Sequence, residues 1–214
     1  RFLTQAQKDA LTNGGDATVK VTGGYLKSYS IGGGSGGTAA NASGGKADIN
    51  ISGGTIVTGT IGGGNTSSTT GSIGFAKAVI TGGDITGQFI MAKGANEPCT
   101  FNMSGGTLHG LDTSVTSFPY KNGGAVYMDD PNGKAVLSGG TITGGSAILG
   151  GAVYMTAGSF TVSDNGIIKG NNATENGGAI YLGKTGEYKG TFTMNGGTIE
   201  SNNATKLGGA IYLD

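Results

Sequence analysis

The sequence has one cysteine, three prolines, one histidine and no tryptophan among 214 residues. A single cysteine, Cys99, excludes an internal disulfide framework. Three prolines beside 47 glycines exclude a collagen-like chain, which needs glycine at every third position and abundant proline. Arginine occurs once, at Arg1, and thirteen basic residues balance thirteen acidic ones, so no basic face invites nucleic acid. No apolar run approaches the ~18–20 residues that cross a membrane as a helix, and direct insertion is not expected. Disorder would suit so much Gly, Ser, Thr and Asn, but Val, Ile, Leu, Met and Phe interrupt the polar stretches at regular places.

What the chain has instead is repetition. Gly-Gly-Ala-Val/Ile-Tyr occurs at Gly123–Tyr127, Gly150–Tyr154, Gly177–Tyr181 and Gly208–Tyr212, spaced 27, 27 and 31 residues apart. A second phrase, Gly-Gly-x-Ile/Leu, keeps step with it at Gly23–Leu26, Gly53–Ile56, Gly82–Ile85, Gly105–Leu108, Gly139–Ile142 and Gly196–Ile199. A period in this range is the mark of a solenoid. Upstream of the second phrase stand apolar pairs two residues apart: Val19/Val21, Ile49/Ile51, Ala78/Ile80, Phe101/Met103, Ala135/Leu137, Phe160/Val162 and Phe192/Met194. Between the members of each pair lies a mostly polar residue, the alternation of a half-buried strand. Near residue 163 the phrase breaks, and Ser163-Asp164-Asn165-Gly166 replaces it with one inserted residue.

The expected fold is an all-β, right-handed parallel β-helix of about seven coils spanning 17–214. Stacking like residues on like buries continuous apolar ladders, at about 1.5–3 kcal/mol for each large side chain. Residues 1–16 stand apart: Leu3–Leu11 has apolar residues at helical spacing, which predicts a short helical cap over the open end. Gly32–Gly45 and Gly62–Gly74 read as two projecting glycine-rich loops. Beginning at Arg1 and stopping at Asp214 after an apolar strand-like stretch, the chain is expected to be a segment of something longer.

The tandem Gly-Gly-Ala-Ile/Val-Tyr and Gly-Gly-Thr-Ile phrases resemble the repeats of large bacterial surface proteins. Two groups carry similar repeats, the polymorphic outer membrane proteins of chlamydiae and the β-helical, adhesin-like cell-wall proteins of Gram-positive gut bacteria. Phe192-Thr-Met-Asn195 is the one instance of the chlamydial Phe-x-x-Asn phrase. The paired turns Asn171–Thr174 and Asn202–Thr205 are more similar to the Gram-positive repeats. The resemblance implies a β-helix displayed outside the cell, as an adhesin or a stalk. It carries over no catalytic residue.

Four groups of residues are candidates for function. Tyr127, Tyr154, Tyr181 and Tyr212 should point outward in register. They read either as a contact strip for a host protein or glycan, or as a ladder that stabilises its own sheet face. The asparagines of the paired turns should bond from coil to coil. Asp84 and His109, with Asp112 nearby, form the one acid–base neighbourhood, where pectin-active β-helices would carry many carboxylates and an Arg/Lys pair. Asp129-Asp130-Pro131-Asn132-Gly133 resembles a calcium loop but lacks alternating oxygen ligands, and a tight turn accounts for it. Asn-x-Ser/Thr sequons at Asn41, Asn50, Asn65, Asn102, Asn172 and Asn203 read as compositional.

No metal or cofactor is assigned. The outward rows after the glycines, with Tyr25, Asp84, Lys27, His109 and Glu200 among threonines, are too irregular to template ice. The expected function is non-enzymatic: an adhesin or scaffold segment, extracellular and surface-anchored, that binds a host protein or glycan through an outward face and loops. The alternatives are a polysaccharide-binding or polysaccharide-degrading β-helix of the pectin-lyase type, and a structural spacer that associates end to end.

Overall fold

The computed structural model describes residues 15–34, 44–63, 74, 76–92, 97–115 and 120–214. Among them every regular element is a β-strand, and the strands assemble an all-β parallel solenoid of about six turns. The apolar pairs set its register. Val19, Ile49, Ala78, Phe101, Ala135, Phe160 and Phe192 are direct partners on successive parallel strands, and Val21, Ile51, Ile80, Met103, Leu137, Val162 and Met194 form the column beside them. The seven coils expected from the phrases are not supported, because the first and last copies of the apolar pair bound the stack and each lacks a full turn of its own. The helical cap expected over 1–16 is not supported: residues 1–14 lie outside the described residues, and Gly15 and Asp16 are not helical.

Three further inward columns complete the core. Leu26, Ile56, Ile85, Leu108, Ile142, Ile168 and Ile199 line one. Ile31, Ile61, Phe89, Val126, Val153, Ile180 and Ile211 line another, with Met91, Met128, Met155, Leu182 and Leu213 two residues on. All but the end rungs are buried, in one continuous cluster. At the last rung these columns emerge: Phe192, Ile199 and Ile211 are only partly covered, and Leu213 is exposed.

The glycine pairs of the first five phrases bend strands without ending them. Pairing runs through those phrases with a shift of register, so Ala47–Gly62 and Ala76–Met91 are single strands of 16 residues, whereas at Gly196-Gly197 the strands Thr191–Met194 and Thr198–Glu200 are separate. The second glycine of each pair takes a left-handed conformation, at Gly24, Gly54, Gly83, Gly106, Gly140 and Gly197, as in a glycine-bearing bulge. The first passes so close to the rung above that a Cβ on Gly105 would lie 2.5 Å from the carbonyl oxygen of Thr81. In the broken phrase Asp164 adopts the left-handed conformation instead (φ 49°), and Ser163 Oγ bonds its carboxylate at 3.0 Å. The inserted residue is absorbed there, because Ile168 lands on Ile142 and Ile167 faces outward on Thr141.

From Asp112 onward each turn gains a short extra ladder, Ser146–Ala147, Asn172–Ala173 and Asn203–Ala204. The residue two positions before each of these strands is Gly144 (φ 70°), Gly170 (φ 63°) and Ser201 (φ 54°). Left-handed backbone costs an L-residue about 1–2 kcal/mol relative to glycine, part of which glycine returns as unfolded-chain entropy. Ser201→Gly should therefore raise stability by about 0.5–1 kcal/mol. A fall in the thermal midpoint of that variant would show that the serine is held there by some contact of its own.

The 31-residue spacing has a local cause. Lys184–Thr185 and Tyr188–Lys189 form an antiparallel hairpin that projects from the last turn, every residue of it exposed.

Candidate binding surface

The four repeated tyrosines stand in one column, each the direct partner of the next. Ring centroids lie 5.4, 5.3 and 5.5 Å apart with interplanar angles of 21°, 14° and 23°, a face-to-face stack along the solenoid axis. Tyr120 closes the top of the stack, 4.7 Å from Tyr127 and tilted by 47°. Above Tyr127 the same column continues as Ile90, Gly62 and Gly32, so the aromatic strip begins where the Gly-Gly-Ala-Val/Ile-Tyr phrase begins.

Register follows the expectation, but the surface it presents is narrower than four open rings. Each ring covers its neighbour's face, and Tyr181 is only 8% exposed. What reaches solvent is the ring edges. One hydroxyl is engaged as well: Tyr127 donates to Asp129 Oδ2 at 3.2 Å. Burial, reinforced by nearby carboxylates, raises the phenol pKa of Tyr120, Tyr127, Tyr154 and Tyr181. These four phenols therefore keep their protons at neutral pH. One rim carries Asp129, Thr156, Gly183 and Asp214, each two residues past a tyrosine. The other carries Asn122 and Asn176, whose side-chain oxygens accept from the backbone N–H of Leu149 and Leu207 in the next turn.

The asparagine ladders form as expected. Asn171 is buried; its Nδ2 donates to Asn202 Oδ1 at 2.9 Å, and its own Oδ1 accepts from the Gly145 N–H at 2.9 Å. Asn203 Nδ2 reaches Asn172 Oδ1 at 2.9 Å on the outside. These amides are occupied in holding turns together. Of the sequons, Asn41 and Asn65 lie outside the described residues.

Asp84 stacks on Thr107 as the pattern requires, and His109 Nε2 lies 2.8 Å from Asp84 Oδ1 across adjacent rungs. Both side chains are about half exposed. Asp112 turns to Ser114 instead, accepting from its N–H and its hydroxyl. The geometry brings together a pair, not a triad. In the Asp129–Gly133 stretch, Asp130 is buried and its carboxylate accepts from the N–H of Cys99 at 2.7 Å and of Asn132 at 3.0 Å, while Gly133 N–H closes a turn on the Asp130 carbonyl. Its oxygens are spent on backbone, which is the turn expected. Burial pushes the Cys99 thiol up to about 12, and it donates to the Ala92 carbonyl.

One feature has no counterpart in the sequence patterns. Asp16, Thr18, Lys46, Asp48, Lys77 and Glu97 line a concavity of about 310 Å³ on the outer side of the first rungs. Lys46 Nζ bonds Glu97 Oε1 at 3.0 Å, which raises the lysine pKa, and the Lys46 backbone N–H donates to Asp16 Oδ1 at 2.8 Å. Aligning the residues just before each apolar pair puts Asp48 beside Lys77, the only hint the sequence offers. No family model matches the chain, and no curated protein or solved structure matches it either.

Proposed function

We propose that this chain is a non-enzymatic adhesin or scaffold segment of a bacterial cell-surface protein, displayed outside the cell, that binds a host protein or glycan. In this reading the solenoid is right-handed, as crossover connections between parallel strands usually are. The observation that carries the proposal is the tyrosine strip: four in-register rings that present their edges, rimmed by Asp129 and Asp214 on one side and Asn122 and Asn176 on the other. Such a row of fixed donors and acceptors on a rigid ladder suits a polar, extended partner. Residues 35–43 and 64–73 of the two glycine-rich stretches lie outside the described residues, while the glycines flanking them stack tightly: a Cβ on Gly74 would lie 1.9 Å from the Gly45 carbonyl oxygen. End-to-end association belongs to the scaffold form of the same proposal.

The test is a glycan-array and host-glycoprotein screen of the wild-type chain beside a variant carrying Tyr127→Phe, Tyr154→Phe, Tyr181→Phe and Tyr212→Phe. Phenylalanine keeps the stack and removes the outward hydroxyls. A specific ligand bound about tenfold or more weakly by the variant is the expected result, the loss of one to two hydrogen bonds at an interface. No ligand for either protein, or equal binding by both, sinks the proposal for this face.

The second reading, a β-helix that degrades polysaccharide, draws on the 2.8 Å contact between His109 and Asp84. Release of reducing ends or unsaturated products from acidic polysaccharides, abolished by His109→Gln, would establish it.

A further inference from the structure

We infer that the concavity between Asp16 and Lys77 is a binding site for a small cationic zwitterion, a molecule of the basic α-amino acid type with two ammonium groups and one carboxylate. Charge is scarce in this protein, with 26 Lys, Arg, Asp and Glu residues in 214, yet five of them, Asp16, Lys46, Asp48, Lys77 and Glu97, meet at this one place. They come from four successive strand starts in the ladder: before the strand at Ala17, around the start of the strand at Ala47, just inside the strand at Ala76, and before the strand at Thr100. Register alone brings them together.

Their roles differ. Lys46 and Glu97 satisfy each other and form a wall. Asp16 and Asp48 are each steadied through one oxygen, by the Lys46 N–H at 2.8 Å and by Asn50 Nδ2 at 3.0 Å, which leaves the second oxygen of each as an acceptor. Lys77 is the cross-strand partner of Asp48, and among the described residues it forms no ion pair. The site thus offers two carboxylates and one ammonium, the complement of two ammonium groups and one carboxylate. Among the described residues its apolar lining is the small side chains of Ala17 and Ala47, with no aromatic ring for a sugar face to stack on. A volume of about 310 Å³ suits a single small molecule, at the lower end of ligand pockets.

Titration of the 15N-labelled chain with L-lysine, followed by NMR, tests this directly. L-glutamate, methylammonium and acetate serve as controls at low and at physiological ionic strength. The expected result is saturable shifts of the Thr18, Ala47 and Asp48 amides with lysine. Each control should bind about tenfold or more weakly, because none can engage both signs in the required ratio. Asp48→Asn and Lys77→Gln change half-buried and exposed side chains, so both variants should fold, and each should weaken lysine binding by about tenfold. The inference is overturned by an absence of saturable shifts, by methylammonium binding as well as lysine, or by variants that bind lysine like the wild type.

Discussion

Phe101→Ala is expected to destabilise the solenoid by about 3–5 kcal/mol, at the top of the range for a single core substitution. Phe101 is fully buried, and its partners in the rungs above and below are Ala78 and Ala135. Its ring fills the room those two methyl groups leave, and it meets Phe89 edge to face at 5.0 Å. A deleted ring in a helical bundle can be offset by helices sliding inward. Here the rungs are held about 4.8 Å apart by backbone hydrogen bonds, so the cavity cannot collapse along the axis. Phe160 shares its column with Ala135 on one side and Phe192 on the other, 5.9 Å away, and Phe192 is only partly covered. The loss should therefore fall in the order Phe101→Ala, Phe160→Ala, Phe192→Ala. Urea unfolding followed by circular dichroism gives the ranking, with a shared m-value as the check that one cooperative unit is compared. Equal losses at Phe101 and Phe160, both fully buried, would mean that burial, and not the alternation of large and small residues, sets the energetics.

That alternation was legible in the sequence because a solenoid writes its register into its period. Two-residue spacing gave the inward pairs, and the position of the glycine pairs aligned one rung with the next. The same regularity placed Tyr127 over Tyr154 and Asp84 over Thr107. What it could not give was orientation. Whether stacked tyrosines show faces or edges depends on side-chain torsions, and in the structure the faces are consumed by one another. Nor could a repeat disclose what occurs once. Lys46, Asp48, Lys77 and Glu97 belong to no phrase, and they converge only because successive strands enter the ladder at the same corner. The 31-residue spacing showed that residues had been added, but not that they fold as a hairpin in which Thr185 faces Tyr188.

Gln88→Met should cost about 2–5 kcal/mol, for a reason no hydropathy pattern records. In the four turns built on the Gly-Gly-Ala phrase, backbone N–H groups donate to the next turn: Gly123 to Leu149, Ala152 to Ala179, Gly178 to Gly208. The first of these turns therefore presents carbonyls to a rung above that lacks the phrase and has no matching run of donors. Gln88, fully buried, supplies them: its Nε2 donates to the carbonyls of Tyr120, Asn122 and Gly123 at 3.2, 3.0 and 2.8 Å. One side-chain amide thus caps the upper edge of the aromatic half of the solenoid. Among the described residues its Oε1 is buried with no partner, so the donors are what this side chain contributes. Methionine preserves the volume and removes both N–H groups. The buried Gly123 carbonyl then stays unpaired, at about 1–3 kcal/mol, and the part-buried Tyr120 and Asn122 carbonyls lose the same donor at a smaller cost each. Hydrogen exchange should localise the damage to the Tyr120–Ala125 stretch and leave Ala47–Ile51 protected. Gln88→Glu sharpens the point, because a carboxylate facing three carbonyls resists ionisation and its folded pKa rises above the unfolded value. Its stability relative to wild type should be best below about pH 4.3 and worsen as pH rises through the folded pKa. A Gln88→Met variant as stable as the wild type, or a Gln88→Glu variant indifferent to pH, would show that water reaches these carbonyls and that the edge needs no cap.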